Sequence, residues 1–394
     1  MSGTTTRLFA SSASGAITTL ALTIDAQDLP SLKPISVIND SKLRPSFLLK
    51  HPLNKTLYCS HENRETSSSI GAYSISSAGG LQLIERHDTL GGSCHQEFYN
   101  DGKALAIAEY DGSGVSTWKV SSSSSLTPHQ QFTFEMASTG PDLIRQEASH
   151  PHQIVVDPSG QYLCVVDLGA DVIRIFKIDN NDSTLIEQDF VTVPPGSGPR
   201  HGVFSLRDGK TFFYLVSELS STLITFSVVY EANTLSMKQL SLQSIYGSDP
   251  VPKRAYACDV LVSVSRVALL QNGRQSTDPP QPDNNFLLTC SRLDYKLQID
   301  SFSGDNGTEI PSDTMQVWAI DPTTGVPQFQ QLSPSWGVNP RHFSFNRKGN
   351  MVAVALVGDH RVVIIQRDTM DGTLGKVLTH VEGISEAMCV VWDE

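Results

Sequence analysis

HPHQIVVDPSGQYLCVVDLGADVIRIFKI, residues 150–178, reads as a polar entry, an apolar strand, a turn with Gly, a second apolar strand, an acidic loop and a third strand. GPRHGVFSLRDGKTFFYLVSELSSTLITFSV, residues 198–228, repeats that grammar at a period of about 48 residues, from Pro151 to Pro199. The unit opens again at Pro45 (RPSFLLKHPLNKTLYCSHEN), near Ser93 (SCHQEFYNDGKALAIAEYDGSG), at Pro340 and more loosely from Ala255, which makes six units inside the chain. AMCVVWDE at the C-terminus is one further strand, and RLFASSASGAITTLALT at the N-terminus supplies the next two. A seventh unit assembled from both ends closes a ring. Four-stranded units repeating every 40 to 50 or so residues specify a β-propeller. The expected fold is all-β, a single seven-bladed propeller domain over residues 1–394.

Two stretches interrupt the period, GRQSTDPPQPDNN at 273–285 and SGDNGTEIPSD at 303–313. Both are polar and rich in Pro, Gly, Asp or Asn, so both are expected as surface loops on the fifth blade. The 28 Gly and 21 Pro are spread along the whole chain and mark no linker.

A formal net charge of -12 argues against nucleic acid and membrane partners, since no Lys or Arg run offsets it locally. Met1 to Leu22 shows no basic start followed by an apolar stretch, so neither a signal peptide nor a membrane helix is expected. Six scattered cysteines read as buried reduced thiols, and the expected location is cytoplasmic. A monomer or weak homo-oligomer is expected.

In a propeller the first strand of each blade lines the central channel, and every second side chain along it faces the opening. By that alternation His150 and His152 share a face, and Arg200, His201, Arg341 and His342 open their inner strands at one rim. The turn after each second strand reaches the same rim with Glu109, Asp167, Glu218 and Arg292. A basic pocket holding a few carboxylates suits a small anionic substrate, with His or Glu moving protons. The bland alternative is that Glu109, Asp167 and His150 serve turn chemistry alone. Arg200, Glu218 and Arg292 have no such use in a turn. DGKT at Asp208 lacks the first Gly of a phosphate-binding loop, and apart from the HPH pair the histidines have no close ligand partners. Neither a metal nor another cofactor is expected.

HPHQIVVDPSGQYLCVVDLGAD, GSGPRHGVF followed by SELSST, and NPRHFSF together resemble the seven-bladed propeller lactonases, a family extending from 6-phosphogluconolactonases to fungal carboxymuconate cyclases. The resemblance covers essentially the whole chain. It implies a metal-independent site built from His152, Arg200, Glu218 and Arg292. His201, Asp167, Arg341 and His342 are further candidates for contact with substrate. Family lactonases often carry SNRG where this chain has CSRL. GPRH and SELSST favour the lactonase branch. The expected function is therefore hydrolysis of a sugar-acid or other small anionic lactone. A cycloisomerase, or a non-enzymatic interaction scaffold, is the alternative. Whether His152 or Glu218 takes the proton from water stays open.

Overall fold

The computed structural model describes residues 4–39, 44–63, 67–263, 285–303 and 307–394. Seven four-stranded antiparallel sheets are arranged so that each first strand touches the first strands of the sheets before and after it. We number the blades 1 to 7 by these inner strands: Pro45–Lys50, Ser93–Tyr99, Pro151–Val156, Pro199–Arg207, Tyr256–Val262, Pro340–Phe345 and Ala387–Trp392. The ring closes as expected, with Ala387–Trp392 paired to Thr4–Ser12 so that Leu8 lies opposite Trp392. The N-terminus gives blade 7 three strands where two are expected, because Pro30–Asn39 forms the outer one. That strand buries only Leu32, so its sequence carries little alternation.

The core is divided into seven clusters, one in each gap between neighbouring blades. Strand alternation explains the division. In Tyr162–Asp167, Leu163 and Val165 pack toward blade 2, whereas Tyr162, Cys164 and Val166 pack toward blade 4. Both faces of a second strand are thus covered, which is why these strands read as continuous apolar runs.

The stretch at 303–313 departs from the expected loop. Glu309–Ser312 pairs with Leu297–Asp300 in a hairpin, with Ile310 opposite the buried Ile299. Two apolar residues in register are enough to order a segment whose composition is otherwise that of a loop. Residues 273–284 of the other interruption lie outside the described residues.

Each inner strand carries a β-bulge near its start, at the second position in six blades and at the third in blade 5. In blade 3 the ladder steps from Pro151 opposite Asp167 to Gln153 opposite Val166, and in blade 4 from Pro199 opposite Ser217 to His201 opposite Val216. The same slip recurs in the other five blades. The bulged residues are Ser46, Cys94, His152, Arg200, Cys258, Arg341 and Met388. An extra residue re-aims the local side chains. In consequence the ring of His152, a bulged residue, lies 5.1 Å from that of His201, the residue after the bulge of the next blade.

The successors bind the ring together. An inner strand has one unpaired edge, and in four blades a side chain from the preceding blade accepts from its N–H. Ile154 donates to His95 Nδ1 at 3.4 Å, Gly202 to Gln153 Oε1 at 2.5 Å, Val390 to His342 Nδ1 at 3.4 Å and Leu48 to Cys389 Sγ at 3.4 Å. The repeated His in the entry motif is therefore partly an architectural acceptor.

Candidate active site

Register decides which acids face the channel. Glu109 and Asp167 stand opposite Ser93 and Pro151, the first residues of their inner strands. In blade 4 that place belongs to Ser217, opposite Pro199, so Glu218 lies one residue further on. Arg292 likewise follows Ser291, the partner of Ala257, and Glu62 follows His61, the partner of Pro45. One residue of offset exchanges the two faces of a strand. Asp167 accordingly turns away from the channel, contrary to the sequence expectation. It is fully buried and accepts from Ser149 Oγ, His150 N, Ala170 N and the Arg174 guanidinium. Glu109 is similarly occupied by Ser93, Ser116 and Gly91.

Glu218, Arg200 and Arg292 do converge, and a further arginine joins them. Arg145 Nη2 lies 2.7 Å from Glu218 Oε1, while Arg200 Nε and Arg292 Nη2 lie 2.8 and 2.9 Å from Oε2. Burial alone would raise the Glu218 carboxyl, but Arg292, Arg200 and Arg145 override it and hold the pKa at about 2. One carboxylate facing three guanidiniums leaves two positive charges uncompensated within the cluster. Arg200 is the innermost, 2% exposed and also donating to the Cys258 carbonyl.

The two motifs carrying Arg200 and Glu218 are stapled at Gly198. Its N–H donates to Asp171 at 2.8 Å and its carbonyl accepts from Glu218 N at 2.7 Å. With φ at +58° and the Leu219 side chain 2.5 Å from where a Cβ would stand, only glycine fits there.

His152 occupies the bulge of blade 3, 7% exposed, and its Nδ1 has no hydrogen-bond partner among the described residues. Burial, followed by the positive field of Arg200 and the influence of His201, Arg341 and Arg292, holds its pKa well below the ordinary histidine value. It is a neutral imidazole at pH 7. His201 and His342, one position deeper, are tied to the framework through Asp259 Oδ1 at 2.7 Å and the Val390 N–H. Arg341 is balanced by Glu62 at 2.7 Å. His150 is stacked on Tyr110, with ring centroids 4.2 Å apart, and does not share the placement of His152.

Sequence reasoning misses Arg145, Tyr110 and Glu62. Tyr110 and Glu62 occupy the row of Glu218 and could have been found by counting from the residue opposite each strand entry. Arg145 lies on the connection between blades 2 and 3, outside the repeat, and no spacing announces it. Among the described residues no three His, Cys, Asp or Glu side chains gather as metal ligands.

The sequence profile described as "Lactonase, 7-bladed beta-propeller" matches residues 1–392. The chain belongs to this lactonase family. A 6-phosphogluconolactonase of Formosa agariphila is 28% identical over 344 residues, covering 86% of this chain and 85% of that protein. The protein named "Probable 6-phosphogluconolactonase" of Arthroderma benhamiae is 26% identical over 355 residues, covering 90% and 81%. The solved structure of the periplasmic gluconolactonase of Pseudomonas aeruginosa superposes with a TM-score of 0.79 at 25% identity, covering 99% of each chain. Within this lactonase chain no described helix is long and apolar enough to cross a membrane.

Proposed function

We propose that this protein hydrolyses a small anionic sugar lactone at the arginine-rich rim of the channel. The observation that carries the reading is the Glu218 cluster, in which three guanidiniums share one buried carboxylate and leave positive charge for a ligand. The names of the relatives, 6-phosphogluconolactonase and gluconolactonase, support the same chemistry.

In this reading His152 is the general base. Its neutral imidazole takes a proton from water as the water oxygen attacks the lactone carbonyl carbon, and the carbonyl electron pair moves to oxygen. Arg292 and Arg200 stabilise that oxyanion. Collapse breaks the ring C–O bond, and the imidazolium returns its proton to the departing alkoxide. The hydroxy acid so formed releases one proton to solvent. Glu218 positions the arginines and does not act as base, because a carboxyl held at about 2 by three cations is a poor proton acceptor.

The reading treats residues 1–394 as one propeller domain and places it in the cytoplasm as a monomer or weak homo-oligomer. Six buried cysteines scattered over the blades support a reducing compartment. His201, Arg341 and His342 serve the site from behind, through His152 and the ring. The test is proton release from a panel of phosphorylated and unphosphorylated sugar δ-lactones. Acceleration over the buffer rate is expected for the anionic members, and a flat panel would remove the lactonase reading.

A further inference from the structure

Arg145 differs from the other two arginines in where it comes from and how it is held. Its loop, residues 134–150, joins the outer strand of blade 2 to the inner strand of blade 3. The backbone of that loop is fixed without the Arg145 side chain. Asp142 Oδ1 accepts from Ile144 N and Arg145 N at 3.0 and 3.1 Å, and the fully buried Gln146 donates to the Leu168 carbonyl at 3.0 Å. Gly140 N and the Gln146 carbonyl close the loop at 2.8 Å.

The guanidinium itself is the outermost of the three. The Arg145 side chain is 33% exposed, against 17% for Arg292 and 2% for Arg200. It holds Glu218 Oε1 alone, whereas Arg200 and Arg292 share Oε2, and its Nε donates to the Tyr110 hydroxyl at 3.4 Å. Those two contacts use two of the five N–H donors of a guanidinium. Tyr110 is in turn fixed by His150, which stacks on its ring and meets its carbonyl at 2.8 Å. The arginines that bear most on His152 are Arg200, Arg341 and Arg292.

We propose that Arg145 is a specificity-determining residue that receives the anionic group of the substrate remote from the reacting carbonyl, a phosphoryl group or a second carboxylate. This rests on the lactonase reading and assigns its charge selectivity to one side chain. Arg145 is poised on Glu218. A dianion at the solvent side offers the planar fork two oxygens in place of one, while Arg200 and Arg292 keep Glu218 ionised. A lactone without the remote anion gains nothing from this exchange. The loop therefore sorts charged from uncharged lactones, and the inner arginines serve the ring opening common to both.

The experiment compares kcat/KM for a phosphorylated sugar δ-lactone and its unphosphorylated counterpart in wild type, Arg145→Gln and Arg145→Lys, with melting temperatures taken alongside. In Arg145→Gln the preference for the phosphorylated lactone should fall about tenfold to a hundredfold, through KM, with Arg145→Lys regaining part of it. An unchanged preference in Arg145→Gln at the wild-type melting temperature would overturn the proposal. So would an equal fall in kcat on both lactones, which would place Arg145 in the chemistry. Titration calorimetry with inorganic phosphate separates this inference from the lactonase reading. Phosphate binding weakened by Arg145→Gln supports the anion site even if wild type opens neither lactone, and phosphate binding equal in the two proteins contradicts it.

Discussion

At the scale of single residues, Glu218 and His152 answer to different kinds of loss. Glu218→Gln removes the carboxylate shared by Arg145, Arg200 and Arg292. Breaking a buried ion pair by deleting one partner costs about 3–5 kcal/mol, so this variant should melt several degrees lower as well as lose activity. Glu218 and Arg200 are at most 2% exposed, so both bear on stability as well as on function. His152→Ala leaves no polar partner stranded at Nδ1, and a lost general base costs about a hundredfold or more in kcat. Differential scanning fluorimetry beside steady-state kinetics distinguishes the two patterns. The lowered pKa of His152 also places the acidic limb of kcat/KM below the ordinary histidine value of 6.5. The convergence of Arg200, Glu218 and Arg292 was legible because charge at a strand end has no use in a turn. Asp167 was misjudged because the acids at the ends of second strands belong to two registers one residue apart.

At the scale of elements, the bulge in each inner strand explains the Pro-Arg-His and Pro-His-Gln entries together. The bulged residue, such as Arg200 or His152, supplies the site, and its successor, such as His201 or Gln153, ties one blade to the next. Simple alternation allows only one of each pair on the channel side, so the expected crowding of Arg200 with His201 and of Arg341 with His342 at one rim needs the bulge. Gln153→Leu should leave the Gly202 N–H without an acceptor, at a cost of about 1–3 kcal/mol in urea unfolding. A variant as stable as wild type would deny the tie. Gly198→Ala should lower both stability and turnover, since a Cβ there meets Leu219 beside Glu218. Arg145 stayed hidden because it reaches the site from a connection that no repeat constrains.

At the scale of the whole molecule, closure was legible because the two ends each lack what the other supplies. Removing Ala387–Glu394 should strip the edge of Thr4–Ser12 and produce aggregation, read by light scattering. The channel also makes stability depend on pH. His95, His152, His201 and His342 have pKa values lowered first by burial. An imidazole so depressed binds its proton more readily in the unfolded chain, so its contribution is present above about pH 6.5 and is lost as the pH falls. Burial raises Glu97 to about 7 and Asp313 to about 6, and also raises Glu109 and Asp259, and these four act in the opposite sense. Burial lowers His51, His129 and His380 as well, so seven imidazoles stand against four acids and acidification brings a net loss, about 1.4 kcal/mol per pH unit for each net proton. The melting temperature should therefore fall between pH 7 and 5, before Glu218 begins to take up its proton. The most direct test of the central claim is proton release in a pH-stat by wild type and His152→Ala supplied with a phosphorylated sugar δ-lactone. Wild type should release one proton per lactone opened, faster than buffer alone, and His152→Ala should be slower by about a hundredfold or more at an unchanged melting temperature. A folded His152→Ala protein that opens the lactone at the wild-type rate would contradict the account.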